Sequence, residues 1–198
     1  MTVSAELRKS LESLDHFSAL VRSQVDSHEL EFERLLDGYL DARRSLAKQF
    51  AQVAQRHLLR DKSLLEATRA RVEERMRELY DQRIPEKYKV VHGYTSVQPI
   101  LLEYLAQHAG NPVRSSKLRI LTGDQIHTER RVRDLRELGF DVEWKKVSDD
   151  DQYVLSTVEA DIGRAAAIQL RKNIRDDKKI AKAERDSLLA VLGPEPDE

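Results

Sequence analysis

Apolar and small residues recur from Leu7 in alternating steps of four and three: Leu7, Leu11, Leu14, Ser18, Val21, Val25, His28, Phe32, Leu35, Tyr39, Ala42 and Leu46. A 3.5-residue repeat is a heptad seam, imperfect here at Ser18 and His28, and it asks for a partner helix. Gly38 does not shift its phase and reads as a tolerated helix glycine costing about 1 kcal/mol relative to Ala. The seam reaches Val53, then jumps to a new series, Leu58, Leu65, Val72 and Leu79, with Met76 alongside. Ser63 followed by Glu66 is a capping-box pattern that favours a new helix near residue 63. The expected arm is therefore a helix of ~55 residues folded against one of ~20. At 1.5 Å per residue the longer helix spans ~80 Å, more than the rest of the chain can cover. Self-association through residues 1–84 is the reading this favours; an internal bundle using the same seam is the alternative.

At Ile84-Pro85 the helical pattern stops, because proline disfavours helix in the residue before it. A linker to Tyr94 follows, and three short helices are predicted beyond it. The first is opened by Thr95 and Gln98, carries Val97, Ile100, Leu101, Tyr104 and Leu105, and stops at Gly110-Asn111-Pro112. The second is capped by Ser115 or Ser116, holds Leu118 and Leu121, and closes at Gly123. The third runs from Gln125 or Thr128 to Leu138, with Val132, Leu135 and Leu138 inward and Gly139 as its stop. The period then changes to two. Phe140, Val142 and Trp144 alternate with Asp141, Glu143 and Lys145, and after a turn at 148–151 comes Tyr153-Val154-Leu155. Ser156 and Glu159 suggest a further capping box, opening a helix with Ile162, Ala165, Ala166, Ile168 and Leu170 that continues into 171–175. A last amphipathic segment holds Ile180, Leu188, Leu189, Val191 and Leu192. The expected organisation is a helical coiled-coil arm (1–84), a helix-turn-helix unit with a β-hairpin wing (85–157), C-terminal helices (158–192) and a tail (193–198): a mainly α protein.

Composition narrows the chemistry. The 198 residues include 34 basic and 35 acidic side chains, 35 % are charged, and cysteine is absent. That excludes disulfide scaffolds, thiolate zinc sites and cysteine nucleophiles. No apolar run approaches a membrane span and the N-terminus lacks a signal-peptide layout, so a cytoplasmic protein without membrane partners is expected. His16, His28 and His57 lack the spacing or carboxylate company of metal ligands. No glycine-rich phosphate loop or other cofactor motif occurs, and none is expected to bind. Charge is uneven: residues 1–40 sum to −4, 41–83 to +4 and 84–157 to zero. Within the last stretch, 112–136 hold seven Lys/Arg against three carboxylates, a possible phosphate-binding footprint or, more plainly, a solvated helix face.

Three short helices followed by a hairpin is the order of a winged helix-turn-helix, whose third helix usually lies in the DNA major groove. Placing Val132 and Leu135 inward turns Arg130 and Arg133 outward, and an arginine fork suits guanine O6/N7 or phosphate. The predicted DNA contacts are Gln125, His127, Arg130, Arg131 and Arg133, with Lys117 and Arg119. The run from Arg130 to Val142 (RRVRDLRELGFDV), followed by Asp151-Gln152-Tyr153-Val154-Leu155, resembles winged-helix modules that accompany bacterial HNH-type and other restriction endonucleases. The resemblance spans roughly 95–157. It implies double-stranded DNA as the ligand, a regulator or recognition subunit in a restriction or phage-defence setting, a protein partner from the same operon, and base or phosphate contact by Arg130 and Arg133. No HNH motif follows the module, so cleavage is not implied, and the acidic tip Asp149-Asp150-Asp151 argues against a phosphate-gripping wing. Two rivals remain: a protein-binding adaptor built on the same fold, and a Mg²⁺-dependent nuclease in which Glu143 and Lys145 form an (D/E)xK site. Alternation with Val142 and Trp144 makes that pair the wet face of a strand, so a non-enzymatic protein is the expectation. Lys178, Lys179 and Lys182 are read as a solvated face.

Overall fold

A computed structural model describes residues 3–27, 31–59, 64–94, 97–124, 127–148 and 150–194. Its elements are α1 (Val3–Ser27), α2 (Phe32–Leu58), α3 (Leu64–Tyr80), α4 (Val97–Gln107), β1 (Val113–Arg114), α5 (Ser115–Leu121), α6 (Thr128–Glu137), β2 (Val142–Val147), β3 (Asp150–Leu155), α7 (Ile162–Asp176) and α8 (Lys182–Val191). The chain is mostly helical, with one small antiparallel sheet in the order β1-β3-β2. None of the described helices is long and apolar enough to cross a membrane.

The arm differs from the expected single long helix. Instead, α1 and α2 form an antiparallel hairpin, in which Ser13 Oγ bonds Ser45 Oγ at 2.8 Å and Gln24 Oε1 accepts the Glu31 backbone N–H at 2.9 Å. Its contact is made by small and polar residues: Gln24, Ala42 and Gln49 are buried. Gly38 is more than tolerated, since a Cβ there would stand 2.7 Å from Leu20 and 3.4 Å from Phe17. Close helix approach, not flexibility, is what this glycine supplies. Leu11, Leu14, Val25 and Phe32 of the heptad seam, by contrast, stay exposed, so much of it finds no cover among the described residues. His28 and Ser63 lie outside the described residues, as does Thr95.

Packing runs straight across residue 84. Leu65, Val72 and Met76 of α3 are buried in one cluster with Leu101, Leu105, Leu118, Val132, Leu135, Phe140, Ala165, Leu170 and Ile174. α3 lies chiefly against α7 and α4, and its first N–H, at Leu64, is capped by the Glu103 carboxylate of α4 at 2.8 Å. A boundary at residue 84 thus passes through a core rather than between two. The corner after α3 is fixed by Lys89, which is fully buried; its ammonium donates to Glu86 Oε1 at 2.7 Å and to the Asp81 carbonyl.

From α4 to β3 the expected order holds, with one addition: β1, too short to show a period, pairs Val113 with Tyr153 and Arg114 with Gln152. β2 and β3 pair from Val142–Leu155 to Val147–Asp150. The cap readings fare less well. α5 carries no side-chain cap, and α7 begins not at Ser156 but at Ile162, where Asp161 Oδ1 accepts the Arg164 N–H at 2.9 Å. Gly123 and Gly139 do end their helices, at φ of 71° and 87°.

Two expectations follow. A Cβ on Gly139 would meet the Asp161 carbonyl oxygen at 2.3 Å, and the left-handed backbone alone costs a non-glycine residue about 1–2 kcal/mol. Gly139→Ala should therefore lower the unfolding free energy by at least about 2 kcal/mol, read from the urea midpoint at unchanged m-value. The second concerns Asp177 after α7, which accepts from Lys87 Nζ at 2.8 Å, Tyr88 Oη at 2.9 Å and the Lys179 N–H at 2.9 Å. Lys87 above all, then the Lys179 amide and Tyr88, hold its carboxyl far below the ordinary value of 3.8. A depressed folded-state pKa contributes stability above the unfolded value, lost as pH falls from 3.8 toward the folded one. Asp177→Asn should accordingly be less stable than the parent at pH 7, with the gap closing as pH drops below 3.8; a gap that is constant with pH would contradict this assignment.

Candidate nucleic-acid interface

Seven of the ten residues of α6 (TERRVRDLRE) are charged, and its buried stripe is narrow: Thr128, Val132 and Leu135. That stripe fixes which face points out. Arg130 and Arg133 are exposed, and neither makes a side-chain hydrogen bond or ion pair among the described residues. Both guanidiniums are therefore available to a ligand.

The other flank of α6 is occupied. Asp134 accepts Gln98 Nε2 at 2.8 Å and pairs with Arg131 at 3.6 Å, while Gln98 is fully buried. Tyr94 Oη donates to the Asp134 carbonyl at 3.1 Å and accepts from Gln169 Nε2 at 3.0 Å. Burial, then the charges of Glu137 and Asp134, push the Tyr94 hydroxyl up, so it remains a proton donor to that carbonyl at neutral pH. Gln169 Nε2 also reaches the Glu137 carbonyl at 3.2 Å. At the far end Arg136 Nε donates to the Val142 carbonyl at 2.6 Å, tying α6 to β2, and Glu137 holds Lys172 at 2.5 Å.

The seven sequence-predicted contacts thus divide. Arg130 and Arg133 stand open; Arg131 is half-buried and engaged with Asp134. His127 is exposed at the start of α6, 4.0 Å from Glu129, and Gln125 lies outside the described residues. Lys117 projects from α5 without an ion pair among the described residues. Arg119 is tied to Asp124 at 3.5 Å, and the same carboxylate takes Arg43 of α2 at 2.7 Å. The arm therefore docks on the α5–α6 turn, where Gly123 also faces Ala51.

The hairpin carries two features the alternating pattern did not separate. Val142 is buried, but Trp144, on the same face two residues on, is 52 % exposed because the strand has run past the core. Its indole N–H donates to Asp151 Oδ1 at 3.2 Å. On the opposite face Glu143 and Lys145 pair at 2.8 Å, and no cluster of three or more metal-ligating side chains occurs among the described residues. At the tip Asp150 pairs with Arg114 at 3.3 Å, which offsets part of the negative charge. Arg164 of α7, which the sequence reading did not single out, lines the same hollow as Trp144.

Comparison with known proteins adds one similarity: residues 98–156, from the first turn of α4 to just past β3, match the family described as the KpnI N-terminal domain, a restriction-enzyme-related family. Neither a curated protein nor a solved structure matches the chain.

Proposed function

We propose that this chain is a DNA-binding protein, not an enzyme, in which residues 97–155 act as a winged helix-turn-helix with α6 in the major groove. It serves as a regulator or as the DNA-recognition subunit of a restriction or phage-defence system. The observation that carries this reading is the unpaired couple Arg130 and Arg133 on the exposed face of a helix whose opposite flank is held by Gln98, Tyr94 and Gln169. Preorganised forks on a fixed helix are what base or phosphate recognition needs. The family similarity over 98–156 supports the restriction setting. The arm, on this reading, pairs with a second copy: small residues fill the α1–α2 contact while Leu11, Leu14, Leu36, Tyr39 and Phe50 face solvent, leaving apolar surface of the kind a partner helix covers.

One specific observation favours a second reading, an adaptor that binds protein. Asp150 and Asp151 sit at the wing tip, where a negative charge repels phosphate. The two readings part in a mobility-shift titration on duplex DNA. Affinity that falls as salt rises is required of the first, because neutralised phosphates release counterions; no shift on any duplex at low salt leaves the adaptor.

Arg130→Ala and Arg133→Ala should each weaken duplex binding by about 1–3 kcal/mol with the thermal melt unchanged, and with a shallower salt slope where the side chain holds phosphate. Glu143→Ala should leave binding intact. For the arm, sedimentation equilibrium should return twice the chain mass, and Leu11→Glu combined with Leu14→Glu should return the single mass; a monomer in the parent protein refutes the pairing.

A further inference from the structure

Between the C-terminal half of α6, β2 and α7 lies a hollow of about 820 Å³. We propose that it is a subsite for an unpaired nucleotide of the DNA strand, the base stacked on Trp144 and its phosphate held by Arg164. The proposal rests on the DNA-binding reading above and deepens it: the nucleic acid engaged carries a single-stranded segment beside the duplex that α6 contacts.

The cations come first. Six basic and four acidic side chains border the hollow, but most are already spent. Lys172 is taken by Glu137, and Glu143 by Lys145. Arg136 is given to the Val142 carbonyl, and Arg171 to the carbonyls of Leu192, Gly193 and Pro194 at 2.5–3.2 Å. Arg133 and Arg164 keep side chains without a partner among the described residues, and Arg164 Nε is shielded from water without a hydrogen bond. A shielded donor with no acceptor is destabilising, and a ligand oxygen would relieve it. Arg164 also lies in the first turn of a 15-residue helix, where the backbone dipole disfavours a cation and favours an anion. Arg171, although 94 % buried on its 6 % exposure, likewise borders the hollow with Nε unpartnered. Two arginines with unmet donors therefore sit around one cavity.

The aromatic ring supplies the second half. Trp144 contributes to this hollow, its edge anchored by the bond to Asp151, and half of it is in solvent. A tryptophan held at its edge in a hollow that arginines also line is a stacking platform of the kind that binds single strands. A paired base has both faces covered by its neighbours, so such a ring selects a base that is not stacked in a duplex. The volume lies within the range of small-ligand sites, about 300–1,000 Å³.

Trp144 is the only tryptophan of the 198 residues, so its emission reports this hollow directly. The full chain is titrated with an oligo(dT) of about 12 nucleotides and, separately, with a blunt duplex, and labelled oligo(dT) is followed by anisotropy. Saturable quenching by oligo(dT) is expected, with little by the blunt duplex. Trp144→Ala should weaken oligo(dT) binding about tenfold, Trp144→Phe should retain most of it, and Arg164→Ala should weaken it with a shallower salt slope. Trp144 lies outside the core, so the thermal melt of its variants should match the parent. Unchanged emission, or undiminished affinity in Trp144→Ala, overturns the subsite; so does equal quenching by inorganic phosphate alone, which would mark an anion site with no base in it. If duplex binding stays sensitive to Arg130→Ala while oligo(dT) has no effect, only the subsite fails; if neither nucleic acid binds, the DNA-binding reading fails with it.

Discussion

A helix with seven charged residues in ten cannot be held by apolar packing alone, and everything about the candidate interface depends on how α6 is nevertheless fixed. Its stripe of Thr128, Val132 and Leu135 buries only one edge. The remaining hold is polar and comes from three directions: Gln98 of α4 on the Asp134 carboxylate, Tyr94 of the linker on the Asp134 carbonyl, and Gln169 of α7 on the Glu137 carbonyl. Buried amides and a buried phenol are costly unless every group is satisfied. Here they satisfy one another, and α6 is held without using Arg130 or Arg133. The candidate interface is consequently a by-product of a division of labour along one helix, with one flank consumed in support and the other left exposed.

Elements with a sustained period were legible from the sequence: α4, α6, the two hairpin strands and most of α7 stand where the alternation of apolar and polar residues put them. The outward orientation of Arg130 and Arg133 was legible for the same reason, since a single inward residue such as Val132 orients its neighbours on a helix. Arg131 was not, because its engagement depends on Asp134 being turned toward Gln98, a residue 36 positions away. β1 was invisible at two residues, and the start of α7 was misplaced because Asp161 offered a better cap than Ser156, a choice decided by the loop's path and not by spacing.

The arm misled in a more instructive way. A heptad pattern says that a helix wants a partner but not which face the nearest helix will take. The chain turns back between α1 and α2, and the contact so formed uses the small residues Gly38, Ala42 and Ser45, which allow close approach, in preference to the leucines. α3, sharing the charge-rich composition of the arm, belongs instead to the core through Leu65, Val72 and Met76. Composition and period do not say which helix packs into the core; the burial of Leu65, Val72 and Met76 does.

Asp124 accepts Arg43 from the arm and Arg119 from α5 at once, and Ala51 closes against the neighbouring Gly123. The α1–α2 hairpin is thus bolted at the very turn that leads into α6. In an assembly of two such chains joined through their arms, the arm becomes a ruler. The distance and phase between the two α6 helices would be set by rigid helical geometry, and with them the spacing of any paired half-sites that could be engaged together.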